Sequence, residues 1–183
     1  MNRRPEVVAR TRRNLADAFW QLYAERPIGQ IGVKEIASLA GCSRSTFYLH
    51  FDDVYALRAE LANELVARVA AELVALPRKS MPEGATIESF ARLYVECGEH
   101  IYLLVRTDPG FVESLRDVVM SYLGPWVTDR EGWERGIALE MAFQALVGGC
   151  SFWYEHRDAM PAEDLSPQLH RALHGMLRGC LPA

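Results

Sequence analysis

Lys34, Ser43, Arg44, Ser45, Thr46, Tyr48 and His50 fall within one short stretch of the chain. Ammonium and guanidinium groups match anionic oxygen, and an arginine fork can hold a guanine edge by two parallel bonds. Hydroxyls suit phosphate oxygens. No nucleophile–base–acid set, paired carboxylates or glycine-rich phosphate loop stands out elsewhere. The chemistry on offer is therefore recognition of a polyanion, and no enzyme is expected. His170 and His174 stand four apart, the spacing of two metal ligands on one helix face. Nothing nearby clearly completes a ligand set, so neither metal nor cofactor is expected. The four cysteines, Cys42, Cys97, Cys150 and Cys180, are far apart and lack C-x-x-C spacing. That argues against a disulfide framework or a zinc finger and suits a reducing cytosol. Cys150 and Cys180 read as packing residues in apolar helices rather than redox sensors.

Charge is distributed unevenly. The net charge of −4 argues against a polyanion partner. Residues 1–51, however, carry eight Lys and Arg against four Asp and Glu, while the rest carries twelve against twenty. A basic head on an acidic body suits a polyanion-binding module joined to something else.

The elements that must position these groups are helical. Apolar residues recur at helical spacing, and period-two alternation is sparse. The expected fold is all-α. Leu15, Ala18, Phe19 and Leu22 form the stripe of a first helix over 5–25, which Arg26 to Gly32 breaks. Val33 to Ala40 reads as a short helix, with Gly32 at its N-cap and Glu35 three residues on, a capping box lacking the usual hydroxyl. Gly41 supplies a left-handed turn, and Ser43 caps a helix over 44–50. Asp52 or Asp53 caps a longer helix over 54–76, ended by Pro77. Further helices are expected over 86–107, 110–122, 131–156 and 167–180. The domain boundary falls along a helix: residues 1–53 form the head and 54–183 the body, joined by a continuous helix.

Two short helices joined by a glycine turn form a helix-turn-helix, whose second helix fits the major groove of DNA. Phe47 and Phe51, four apart, anchor that helix inward. Arg44, Ser45, Thr46, Tyr48, Leu49 and His50 are left nearer solvent or DNA. The run Val33-Lys34-Glu35-Ile36-Ala37, Ala40-Gly41-Cys42-Ser43 and Thr46-Phe47-Tyr48-Leu49-His50-Phe51 resembles the tetracycline-repressor (TetR) family of bacterial transcription regulators. The resemblance covers roughly residues 8 to 60. It implies that Thr46, Tyr48 and His50 meet phosphates or hold the helix against the backbone. It also implies that Arg44, Ser45 and Leu49 lie where base edges are read, and that Lys34 is placed for a phosphate. Ser43 belongs to the same DNA-facing set. The family often has a lysine near Asp52 or Val54; here Asp52-Asp53-Val54 removes that contact, and Arg3, Arg4, Arg12 and Arg13 are candidates to compensate. Arg26 to Ile31 together with Phe51 to Leu57 resembles a subgroup related to regulators of dihydroxyacetone kinase operons.

In the body, Trp126, Trp133, Phe143, Trp153 and Tyr154 read first as core aromatics. The resemblance implies a ligand cavity there, with Trp126, Phe143, Trp153 and Tyr154 as candidate lining. Ile137, Met141, Ala145, Gly148 and Phe152 share one face of a helix, and Leu169, Leu173, Met176 and Leu177 share another. Paired with their symmetry mates, these faces make a four-helix dimer interface. Gly148-Gly149 fits the close approach of a second helix. Met1 to Glu25 is charged throughout and lacks the apolar core of a secretory signal, and the apolar run at 142–154 is short for a bilayer. A cytoplasmic protein with no membrane partner is expected. The expected function is a homodimeric repressor that binds double-stranded operator DNA and is released by a small-molecule effector. A regulator controlled by a protein partner, with no small ligand, is the alternative, and an enzyme or a plain interaction module is a third reading. A sequence-specific footprint on DNA separates the first two from the third.

Overall fold

A computed structural model describes residues 5–75, 85–127 and 131–178. Among these every regular element is a helix: α1 (Pro5–Glu25), α2 (Val33–Leu39), α3 (Arg44–Tyr48), α4 (Val54–Ala75), α5 (Ala85–Thr107), α6 (Pro109–Leu123), α7 (Gly132–Glu155) and α8 (Ala162–Arg178). Single 3₁₀ turns occupy Ile28–Gln30 and Gly124–Trp126. The chain divides into two compact units, Met1–Glu64 and Leu65–Ala183, and the dividing point lies within α4.

The first unit is built on the expected stripe. Leu15 and Phe19 are fully buried, and Ile36, Phe47 and Leu57 join them in the core. Phe19 stacks on Tyr23 with ring centroids 5.0 Å apart. α1 packs on α2, and α2 on α3. Asn14 ties α1 to the end of α2, its side-chain amide donating to the Ala40 carbonyl at 3.5 Å. Gly41 has φ +67°, the left-handed conformation that costs an L side chain most and glycine least. Asp53, not Asp52, caps α4: its Oδ1 accepts from the Ala56 N–H at 2.7 Å.

The second unit packs α7 against α8 and α5, and α6 against α5 and α7. Asp108 caps α6 by accepting the Phe111 N–H at 3.2 Å, with Pro109 at the first helical position, where a missing N–H costs nothing. α8 starts at Ala162, five positions before the expected Pro167, and so carries Pro167 in its second turn. Pro167 there lacks the N–H that would reach the Glu163 carbonyl. Burial of Leu165, at 8% exposure, holds the extra turn.

The short apolar run near 142–154 belongs to the 24-residue α7, which by length and composition could cross a membrane. Here α7 instead packs on three neighbouring helices and carries Glu134, Arg135, Glu140 and Glu155 along its length. Ala142 and Phe143 are buried in the protein core.

Candidate nucleic-acid interface

α3 is a helix of five residues, so its register depends on its ends. At the start, Ser43 Oγ accepts the Thr46 N–H at 3.0 Å. The Ser43 and Thr46 hydroxyls also share a hydrogen bond of 2.9 Å. Ser43 is therefore first a helix cap. A hydroxyl has one donor and two acceptor sites, so both side chains keep capacity for a phosphate oxygen. At the far end, the backbone keeps turning beyond Tyr48, with the Phe51 N–H donating to the Phe47 carbonyl at 3.0 Å. Phe47 is fully buried and lies 5.7 Å from the Phe51 ring.

With Phe47 and Phe51 turned inward, the opposite side of α3 faces water. Arg44 and Ser45 are exposed. Tyr48 is 51% exposed and Leu49 59%, very large values for an aromatic and an aliphatic residue in a well-packed unit. The helical repeat sets Tyr48 one turn beyond Arg44, and Leu49 one turn beyond Ser45. Thr46 and His50 are half-buried at the edges of this strip, and the His50 ring lies 6.3 Å from Phe51. Lys34, the second residue of α2, is also exposed. Glycine has no side chain to complete the capping box, so only its Glu35 half forms: the Gly32 N–H donates to Glu35 Oε2 at 3.2 Å. Arg26 adds an ion pair to Glu35 at 2.8 Å. The Arg26 hydrogen bond, followed by the Gly32 N–H, holds the Glu35 carboxyl below its ordinary range.

Two head cations are spent internally. Arg26 pairs with Glu35, and Arg12 pairs with Glu60 while lying over the Phe51 ring, 4.9 Å from its centroid. Arg12, one of the candidates for an extra phosphate contact, therefore already has a carboxylate and a ring as partners within the head. Arg3 and Arg4 lie outside the described residues; Arg13 is exposed.

The sequence profile of the family described as bacterial regulatory proteins, tetR family, matches residues 15–61. That match runs from the middle of α1 to the first two turns of α4 and contains the whole strip. The segment 15–61 belongs to the tetR family. An uncharacterized HTH-type transcriptional regulator of Mycobacterium tuberculosis is 38% identical over 72 residues, covering 39% of this chain and 34% of that relative. The matched stretch is therefore about a third of the relative's length. A tetR-family transcriptional regulator from Streptomyces coelicolor superposes with TM-score 0.71 at 20% identity, covering 91% of this chain and 79% of that one. A Bacillus subtilis transcriptional regulator, FadR in complex with stearoyl-CoA, superposes with TM-score 0.66 at 18% identity, covering 92% and 98%. The dihydroxyacetone kinase operon activator DhaS superposes with TM-score 0.59 at 18% identity, covering 92% and 96%. At these identities the likeness is one of fold, and it does not single out the DhaS-like subgroup.

The body of the chain sorts the remaining candidates. Phe143 is 1% exposed and Trp153 6%. The Trp153 indole N–H donates to the Met160 carbonyl at 2.9 Å, a satisfied core role. Tyr154 stacks on Tyr102 at 4.7 Å, and the Arg157 guanidinium lies 4.2 Å from its ring centroid. The Trp126 side chain lies outside the described residues. Trp133, which the sequence suggested as core or cavity lining, is 77% exposed. It extends the strip of Ile137, Met141 and Phe152, which are 54%, 51% and 53% exposed, and Gly148 is exposed among them. Leu169 and Leu173 are half-buried; the Met176 side chain lies outside the described residues.

Among the described residues, no group of three His, Cys, Asp or Glu could hold a metal ion, and the His170 and His174 side chains lie outside them. Burial raises the thiols of Cys42 and Cys97, and pushes that of Cys150 up to about 12, which suppresses the reactive thiolate.

Proposed function

We propose that this chain is a sequence-specific, DNA-binding transcription regulator that works in the cytoplasm as a homodimer and represses until a small molecule binds its body. The observation that carries the reading is the exposed strip of Arg44, Ser45, Tyr48 and Leu49 on a capped helix anchored by Phe47 and Phe51. Arg44, Ser45 and Leu49 read base edges, and Lys34, Ser43, Thr46, Tyr48 and His50 meet phosphates or hold the helix on the backbone. One such head covers too little DNA to specify an operator, so two-fold pairing through the apolar strip of α7 completes the unit.

Release by a small molecule is supported by the fold it shares with FadR, whose structure contains stearoyl-CoA. An effector that favours one arrangement of the paired heads shifts operator affinity by its differential binding to the two states. Selection of a randomised duplex library by the full chain tests the DNA reading: wild type enriches a two-fold sequence, and failure to enrich any sequence overturns it. A thermal-shift screen that includes fatty acyl-CoA tests the effector reading. Hits are expected to stabilise wild type and Arg44→Ala equally, and hits lost in Arg44→Ala would move the ligand to the head.

A further inference from the structure

Arg12 sits in a basic run of α1 with Arg10 and Arg13, the kind of run that contacts phosphate. Its geometry gives it a different task. The guanidinium lies over the Phe51 ring at 4.9 Å and pairs with Glu60. Phe51 is 6% exposed and follows directly on the last turn of the recognition helix, packed on Phe47. Glu60 stands on α4, whose cap, Asp53, comes two residues after Phe51. One side chain therefore touches α1, the end of α3 and α4 together. Arginine suits this better than lysine, because its planar cation stacks on a ring while its N–H fork meets a carboxylate.

We infer that Arg12 is a positioning residue for DNA readout, a clasp that fixes the Phe51 end of α3, and is not a phosphate ligand. The inference rests on the DNA-binding reading above. α3 has five residues and its capping bond lies at the Ser43 end. Loosening the Phe51 end lets the helix rock. Base-edge contacts from Arg44 and Leu49 need fixed geometry. Phosphate contacts recur along any duplex and tolerate the motion. Loss of Arg12 should therefore cost selectivity and leave the count of phosphate contacts unchanged.

The experiment titrates the full-length wild type, Arg12→Ala, Arg12→Lys and Glu60→Gln against two duplexes: the sequence enriched by wild type and a scrambled one. Each titration is repeated over a range of salt concentrations, and Lys34→Ala is the reference for a lost phosphate contact. Arg12→Ala is expected to lower the ratio of specific to scrambled affinity by roughly three- to tenfold, with the slope of log K against log salt unchanged. Arg12→Lys, which keeps the charge and loses the stacked plane, should restore only part of that ratio. Glu60→Gln should lower it in the same direction, and it carries the test if Arg12→Ala does not fold. A slope shallower by about one for Arg12→Ala, with selectivity intact, makes Arg12 a phosphate ligand and overturns the inference. Unchanged selectivity and slope with a lower melting temperature makes it merely structural and also overturns it. No enrichment by wild type overturns the DNA reading itself and takes this inference with it.

Discussion

Leu169 of α8 lies against Gly149 of α7 so closely that a Cβ on Gly149 would sit 2.5 Å from Leu169 Cδ2. Real Cβ atoms do not come that near a neighbour, so a side chain at Gly149 must turn the leucine side chain aside. Only the movable end of the leucine is in the way, so Gly149→Ala should forfeit much of the ~1 kcal/mol that the better helix propensity of alanine would otherwise add. Leu169→Ala opens the space. The double variant should recover that gain relative to Leu169→Ala alone, a non-additivity that denaturant unfolding reads directly. Additive effects would mean that the two helices do not meet at this pair.

The exposed strip of α7 makes a second prediction. Trp133, Ile137, Met141 and Phe152 are each more than half exposed, a contiguous apolar face of the kind that marks an interface. Met141→Asp should weaken the homodimer by at least about 2 kcal/mol, roughly thirtyfold, because pairing would bury an uncompensated charge. Trp133→Ala should weaken it in the same direction. Sedimentation equilibrium at micromolar concentration checks both. A monomeric wild type, or an unchanged mass for Met141→Asp, would remove α7 as the dimer face.

Glu35 sets an acid dependence in the head. The Arg26 hydrogen bond, then the Gly32 N–H, hold its folded pKa below its ordinary value. A depressed carboxylate contributes stability that is fully present above its unfolded pKa and is lost as pH falls through the folded one. The melting-temperature gap between wild type and Glu35→Gln should therefore be open at neutral pH, begin to close below about pH 4.5 and vanish further into acid. Both groups are solvated, so the gap should be small and should shrink with added salt. A gap independent of pH would mean that the carboxylate charge plays no part.

The head was legible in the sequence because its signals are local. Gly41, Ser43 and Asp53 each fix a turn or a cap through the residue's own backbone or side chain, and Phe47 and Phe51 share a face by spacing alone. What escaped depends on contacts distant in sequence. The basic run at Arg12 suggested a free cation, since nothing within α1 announces that Glu60 and Phe51 will fold back onto it. The glycine pair did announce a close helix approach, but only geometry shows that Gly149 meets α8 of its own chain while Gly148 stays exposed. Pro167 signalled a helix start, and burial of Leu165 on its N-terminal side outweighed it. Trp133 read as core because tryptophan usually is, whereas here it extends the apolar strip of α7.

Arg44 and Tyr48 should fail in different ways. They stand one turn apart on the exposed side of α3, Arg44 at its first position and Tyr48 at its last. From the leading end the planar guanidinium can reach a guanine edge. Arg44→Ala should cost about 1–3 kcal/mol and relax preference at one base pair in each half-site. Tyr48 offers a neutral hydroxyl on a ring that is 51% exposed and is steadied edge-on by Phe47 at 5.7 Å. Tyr48→Phe removes only that hydroxyl, so it should weaken binding to all sequences alike and leave the preferred base unchanged. The salt slope should also hold for Tyr48→Phe, because losing a neutral contact changes no counterion release. Lys34→Ala should make the slope shallower by about one. Titrations on a randomised operator at several salt concentrations read all three variants together. If Tyr48→Phe changes the preferred base and Arg44→Ala does not, α3 enters the groove rotated about its axis, and the base-reading roles of Ser45 and Leu49 fall with that of Arg44.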